Sequence, residues 1–356
     1  MEIPVKGDEL AVLGERIREA AASGRALCIR GGGSKDFYGG PLQGEPLDTA
    51  ALRGIVDYEP TELVMTARAG TPLAELEAAL AQHGQMLPFE PPRFGGGGTL
   101  GGAVAAGLSG PRRPYAGAVR DFVLGLRLLD GRGRQLRFGG QVIKNVAGFD
   151  VSRLLAGSLG TLGVLTEVSL KTLPRPPVQA SLGFELDQAT ALRRINQWAA
   201  RPLPLSASCY HGGVLRLRLS GAEAAVREAR GKLGGEAFSG SGYWDDLRDQ
   251  RGGFFTKAAT LWRVSLPPTA PPLSVDAEQL IEWGGAQRWL AGAQDAQALR
   301  RQAAQLGGHA TLFRGADKSA GAFQPLPEAL AQLHRRIKAV LDPAGIFNRG
   351  RLYPDF

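Results

Sequence analysis

Apolar positions recur at helical spacing over residues 9–23 and stop at Ser23-Gly24, which predicts an opening helix. Ala26 to Arg30 follows as a short buried strand and runs straight into Gly31-Gly32-Gly33-Ser34-Lys35. Leu63 to Ala67 predicts another strand. Thr71 then reads as the cap of a helix, with Pro72 in its first position, Glu75 and Glu77 in the first turn, and Gly84 as its stop. A second glycine cluster, Gly95-Gly96-Gly97-Gly98-Thr99-Leu100-Gly101-Gly102, leads into small residues from Ala103 to Leu108, a short helix. Val123 to Leu129 and Gln135 to Phe138 flank Asp130-Gly131 as a hairpin. A short helix over Asp150 to Leu155 precedes Gly157-Ser158-Leu159-Gly160-Thr161-Leu162-Gly163 and a strand from Val164 to Lys171.

Leu173-Pro174-Arg175-Pro176-Pro177 is a stiff, non-helical connector and marks a domain boundary. Beyond it the periodicity alternates: strand 181–186, helix 188–200, strand 213–219, helix 222–233, strand 260–266, helix 294–306, strand 309–314. This pattern suits a second α+β domain with an antiparallel sheet. A last helix, Pro327 to Leu341, precedes the tail Asp342-Pro343-Ala344-Gly345-Ile346-Phe347-Asn348-Arg349-Gly350-Arg351.

Composition sharpens one part of this picture. Fifty of 356 residues are glycine, about twice the usual ~7%, and they cluster between elements rather than repeat. The formal net charge is +8. The basic run Arg112, Arg113, Arg120, Arg127, Arg132, Arg134 and Arg137 lacks interleaved aromatics, so it reads as a solvated, alternating strand face and no nucleic-acid surface is expected. Two cysteines, Cys28 and Cys209, are too few for a disulfide framework or a zinc site, and they suit a reducing cytoplasm. No apolar stretch reaches the ~18 residues of a membrane span, and Met1-Glu2-Ile3-Pro4 lacks a charged-then-apolar leader pattern. A soluble, cytoplasmic chain is expected, touching a membrane only through partners.

Glycine loops between elements let bare amides approach an anion, because no Cβ blocks the way and the chain can visit positive φ. A dinucleotide pyrophosphate carries two negative charges and suits such loops. Gly31, Gly32 and Gly33 directly follow a strand, Ser34 adds a hydroxyl and Lys35 a cation. Gly101 and Gly102 precede a small-residue helix whose N-terminus favours an anion. Any one glycine run reads more readily as a flexible loop. Gly96-x-Gly98-x-x-Gly101 matches the Rossmann spacing, but Pro91-Pro92-Arg93-Phe94 stands where a buried strand is required. Three such loops in one half of the chain are harder to dismiss.

Arg30-Gly31-Gly32-Gly33-Ser34, Thr99-Leu100-Gly101-Gly102 with Ser109-Gly110, and Gly160-Thr161-Leu162-Gly163-Val164-Leu165-Thr166 resemble, in order and wording, the FAD-binding domain of the vanillyl-alcohol oxidase and p-cresol methylhydroxylase family. The resemblance implies an α+β fold. It places a two-lobed PCMH-type FAD-binding domain at 1–175, a smaller α+β antiparallel-sheet domain at 176–340, and a tail at 341–356 that returns to the flavin. It further implies that the first two loops (Gly31 to Lys35, Thr99 to Gly102) hold the pyrophosphate, that Ala105, Ser109 and Gly110 lie by the isoalloxazine, that Gly160, Gly163 and Val164 meet the adenosine, and that Asn348 reaches the flavin. Covalent members of the family carry a histidine where Ser34 stands, so FAD is expected to be non-covalent. Some relatives carry an acidic residue where Leu159 stands, which leaves the adenosine contacts open.

Ile143-Lys144-Asn145-Val146-Ala147-Gly148-Phe149-Asp150 and Gly307-Gly308-His309-Ala310-Thr311-Leu312-Phe313-Arg314 are similar to the smaller flavin subunits of glycolate oxidase (glycolate dehydrogenase). This resemblance implies a larger flavin subunit and an iron–sulfur subunit as partners, and a small 2-hydroxy acid as substrate. No Cys-x-x-Cys occurs, so any iron–sulfur centre belongs to another chain. The four histidines, His83, His211, His309 and His334, show no metal-ligand spacing, and no metal is expected. His83 reads as a helix end, His334 as surface, and His211 and His309 as residues preceding strands, with contact to substrate the lesser alternative for each of these two. Arg314, Arg349 and Arg351 suit a carboxylate or the surface. The catalytic residues stay open, and so do three functions: a dehydrogenase subunit, a stand-alone oxidase of a sugar or alcohol, and a non-catalytic electron relay.

Overall fold

A computed structural model of the chain describes residues 8–141 and 150–356. The segment Ile143 to Phe149, which carries part of the family likeness, lies outside the described residues. The opening helix, Asp8–Ser23, buries Leu13, Ile17 and Ala20 as its spacing predicts. These pack on Leu27 and Leu47 of a parallel pair of strands, Leu27–Arg30 with Glu45–Asp48. Phe347 of the tail bridges to Leu27 beside that pair.

A five-stranded antiparallel sheet follows in the order Ile55–Glu59, Val64–Arg68, Val164–Lys171, Val123–Leu129, Gln135–Gly139. Two helices, Leu73–Gln82 and Leu100–Ala106, cover it through Leu73, Leu76, Leu80, Leu100 and Val104. Thr71 does not cap the first of these. Pro72 occupies the cap position, and the Thr71 hydroxyl donates to the Gly54 carbonyl and accepts from the Gly54 amide. Of the two acids expected in the first turn, only Glu75 is there. The second helix starts three residues earlier than its small-residue pattern suggests. The Thr99 hydroxyl accepts from Gly102 N and draws both Gly101 and Gly102 into the first turn.

The second half forms an eight-stranded antiparallel sheet, wider than the first. Its order is Glu236–Phe238, Val178–Glu185, Val214–Gly221, Leu205–His211, Gln279–Glu282, Gln287–Ala291, Leu261–Ser265, His309–Arg314. One face is covered by the helices Gln188–Ala199, Glu223–Leu233 and Ala296–Gln305. The opposite face carries Ala207, Cys209, Leu261, Leu280, Trp289 and Phe313 against Tyr38, Ala106, Leu108 and Leu159 of the N-terminal half. A buried ionic cluster crosses the same junction. Glu90 accepts from Arg112 Nε at 3.2 Å and from Arg218 at 2.8 Å. Arg112 is therefore not part of a solvated strand face. It is buried because it answers Glu90, while Arg127 and Arg137 do lie on exposed strand positions.

The tail is tied down by buried polar groups. Lys338 on the last helix, Glu328–Leu341, donates to the carbonyls of Thr161 and Phe347 and to Asp342. Asp342 in turn accepts from the amides of Ile346 and Phe347. Arg351 is buried and donates to the carbonyls of Asp36, Tyr38 and Gly40. The three arginines read as carboxylate binders or surface groups are main-chain clamps. Arg314 donates to Phe255 and Ala258, Arg349 to Gly345 and Gly24, and Arg351 shapes the back of the first glycine loop.

Candidate functional site

The strand Leu27–Arg30 ends at the first glycine loop, and an Arg30–Asp36 ion pair closes that loop at its base. Among the described residues, the amides of Gly31, Gly32, Gly33, Ser34 and Lys35 have no hydrogen-bond acceptor. Most of these residues are only partly shielded from solvent, so five adjacent donors are free to take an outside acceptor. They border a cleft that Thr99, Gly102, Ala105 and Asn348 also line, together with Ile29, Leu159 and Arg351. The two glycine loops touch main chain to main chain here. A Cβ at Gly32 would fall 1.4 Å from the Gly97 carbonyl oxygen, so only glycine permits this packing. A Cβ at Gly102 would meet nothing nearer than the Thr99 hydroxyl at 3.1 Å, so that position opens toward the cleft.

Lys35 is buried at the edge of this cleft, its Nζ 5.6 Å above the Phe94 ring and 3.3 Å from Ser34 Oγ. Burial pushes its ammonium down to about 8, against the opposing pull of Asp249. An anion in the cleft would restore the charge.

Several expected contacts fall elsewhere. Leu100 lies in the core, and its amide donates to Thr71 O at 2.9 Å. The Gly101 amide donates to Ala69 O at 2.7 Å, and a Cβ there would strike Ala69, so this glycine seats the helix on the strand. With the Gly102 amide on Thr99 Oγ1, the second loop offers its hydroxyl and its bare surface rather than a row of amides. Val164 is fully buried among Leu13, Leu129 and Ile346, and Gly163 packs over Leu128 and Leu129. Neither lines the cleft. Gly160 packs on Asn348, whose side chain accepts from Ile29 N at 2.7 Å and donates to Leu159 O at 2.6 Å. Asn348 borders the cleft, yet it works as a splice between the first strand and the third loop.

Ser109 and Gly110 line a second cavity, where Phe94 joins them from the Lys35 side. Ser109 Oγ accepts from Val119 N, and Gly110 O accepts from Trp283 Nε1 at 3.1 Å. The opposite wall holds Glu282 and Arg263, which the sequence did not single out. The histidines stay outside both spaces. His211 ends its strand and pairs with Glu278 at 2.8 Å, His83 caps its helix, and His334 packs beside Tyr353 and Phe356.

Open amides, a flanking cation, a surface free of Cβ atoms and a strand-to-loop junction fit a bound dinucleotide diphosphate. Residues 7–139 match the FAD binding domain family. With the mixed helix and antiparallel-sheet architecture, this defines an FAD-binding protein of the PCMH-type fold. A solved alkyldihydroxyacetonephosphate synthase shares the fold with a TM-score of 0.65 at 15% identity, covering 94% of this chain and 73% of that one. Glycolate oxidase subunit GlcE of Escherichia coli (strain K12) is 50% identical over 341 residues, 96% of each chain. The chain belongs to the glycolate oxidase subunit GlcE family. Glycolate oxidase subunit GlcD of Bacillus subtilis (strain 168) is 32% identical over 131 residues, 37% of this chain and 28% of that protein. D-2-hydroxyglutarate dehydrogenase of Xanthomonas citri pv. viticola is 31% identical over 166 residues, 45% of this chain and 34% of that protein.

Proposed function

We propose that this chain is the FAD-binding subunit of a glycolate-oxidising complex, converting glycolate to glyoxylate and passing the electrons to redox centres on partner chains. The observation that carries this is the extent of the likeness to subunit GlcE, which covers 96% of the chain and so takes in the eight-stranded sheet as well as the glycine loops. The partners are a larger flavin subunit and an iron–sulfur subunit. No helix among the described residues is long and apolar enough to cross a membrane, and any membrane contact runs through those partners.

In this reading residues 1–175 bind FAD, 176–340 form the cap, and 341–356 lock the first strand in place. The amides of Gly31 to Lys35, the Lys35 ammonium and the Thr99 hydroxyl hold the diphosphate, while Gly102 and Ala105 let it lie close. Ser109 and Gly110 face the ring system. Bound FAD supplies a two-electron acceptor. The first loop carries no histidine, so FAD is held without a covalent bond.

Anaerobic glycolate added to the FAD-loaded chain tests the function. Loss of the flavin's yellow absorbance, alone or once partner chains are present, supports it. A flavin that glycolate never bleaches but a simple alcohol or sugar does would favour a stand-alone oxidase of other substrates.

A further inference from the structure

The cavity beyond the cradle is walled by Ser109 and Gly110 on one side and by Arg263, Glu282, Trp289 and Phe313 on the other. Glu282 ends the strand Gln279–Glu282, in register with Gln287 on one neighbour and Cys209 on the other. Strand side chains alternate, so Glu282 shares its face with Leu280 and Arg263 shares its face with Leu261. Both leucines pack toward the N-terminal half. One strand, Gln287–Ala291, separates Glu282 from Arg263. Glu282 aligns with Gln287 and Ser265, and Arg263 with Trp289, so the two positions lie two strands and two residues apart, roughly 12 Å, and both line the one cavity.

Among the described residues both groups lack a counter-ion. Glu282 Oε2 accepts from Trp289 Nε1 at 2.6 Å and from Gln287 Nε2 at 3.1 Å, and the carboxyl has no cation partner among the described residues. The Arg263 guanidinium donates to the Tyr38 hydroxyl at 2.9 Å and lies 5.6 Å over the Phe313 ring, with no carboxylate partner among the described residues. A buried acid and an unmatched cation facing one cavity are costly unless something joins them.

We propose that Glu282 and Arg263 bind a small 2-hydroxy acid in this cavity, with Arg263 taking its carboxylate and Glu282 the proton of its hydroxyl group. This rests on the function proposed above, with FAD as the oxidant. The hydroxyl proton passes to the Glu282 carboxylate. Bound FAD would accept the α-hydrogen with its electron pair, leaving the alcohol carbon as a carbonyl carbon, with no further reactant.

Burial pushes the Glu282 carboxyl up to about 7, against the hydrogen bonds from Trp289 and Gln287, and Glu90 adds to the rise. An acid–base group works best near the operating pH. The groups facing it leave it as the residue that titrates there. Cys209 and Tyr243 are both pushed up by burial and stay neutral. Glu90 is held by Arg112 and Arg218, and Arg248 by Asp245 and Asp249.

The test uses the full FAD-loaded chain with its partner chains, and oxalate as an unreactive probe. Calorimetry in buffers of different ionisation heat should show proton uptake when oxalate binds near pH 8, because an added anion raises the Glu282 carboxyl further. Glu282→Gln should abolish that uptake at unchanged FAD content. It should also slow glycolate bleaching by about 100-fold or more. Arg263→Met should weaken oxalate by about 10-fold or more. Trp289→Phe removes a bond that favours the charged carboxylate, so it should move the pH limb of bleaching upward rather than abolish it. Wild-type bleaching and proton uptake in Glu282→Gln, with wild-type oxalate affinity in Arg263→Met, overturn the site and leave the function standing. Wild-type flavin that glycolate never bleaches, with or without partners, overturns the functional reading, and the site falls with it.

Discussion

The cradle at Gly31–Lys35 and the sheet face around Glu282 line neighbouring spaces on either side of Phe94 but are built from opposite materials. In the cradle the working groups are main-chain amides, and the requirement on the sequence is that side chains stay away. On the sheet the working groups are side chains, fixed by neighbours that donate to them. A main-chain site has no pH sensitivity of its own and tolerates no added atom. A side-chain site tolerates an isostere but answers to pH. Substitutions on the two sides should therefore fail in different ways.

Gly32→Val should have the largest effect. Its Cβ would overlap the Gly97 carbonyl oxygen at 1.4 Å, so both loops must separate. Complete loss of FAD is expected, with a loss of stability of at least about 3 kcal/mol. Denaturant melts and the absorbance of the purified protein check this, and wild-type FAD content would break the comparison on its main-chain side.

Glu282→Gln should leave FAD content unchanged and alter stability with pH. The carboxyl titrates at about 7 in the folded chain against an ordinary 4.5, so folding favours the protonated form. The stability this group contributes is full below about pH 4.5 and is lost as pH rises through about 7. The neutral amide avoids that loss. The variant should exceed wild type by about 3 kcal/mol at pH 8 and match it at pH 4. A pH-independent difference would show that the carboxyl does not titrate as described.

Lys35→Met is the smaller and sharper probe, because Lys35 is the one cation in the cradle whose charge depends on pH in the accessible range. Its ammonium sits at about 8 without an anion. FAD affinity should fall about 10-fold or more at pH 7. The deficit should shrink as pH rises past 8, where wild type must first take up a proton. Fluorescence titration of stripped protein reads both. Acid precipitation should release all FAD, and colour left on the pellet would contradict the non-covalent site.

The same contrast decides what was legible in the sequence. The cradle was legible because close main-chain approach leaves a mark, a run of glycines straight after the apolar strand Leu27–Arg30. Most elements of the first half followed from periodicity. Hydrogen bonds from the fold then reassigned particular residues: Thr99 took the helix start, and Leu100 and Gly101 lost their amides to Thr71 and Ala69. Val164 joined the core because its strand runs behind the cleft. The sheet face left no comparable mark. The strand Leu205–His211 carries serines at 206 and 208, which face polar partners such as Arg218, Ser220 and Gly284, so its alternation reads as a loop. Gln279–Glu282 and Gln287–Ala291 are short and joined through Trp283-Gly284-Gly285, and their burial depends on strands distant in sequence. Glu282 and Arg263 come to one cavity only through that pairing.

Gly102→Val is the most direct measurement, because this glycine lines the cleft and a Cβ added there would meet, outside its own helix backbone, only the Thr99 hydroxyl within 4 Å among the described residues. FAD per chain is read from the visible absorbance, and the fold from circular dichroism. Wild-type dichroism with FAD largely absent is the expected result; full FAD occupancy in a folded Gly102→Val protein would mean that the dinucleotide does not lie between the two glycine loops.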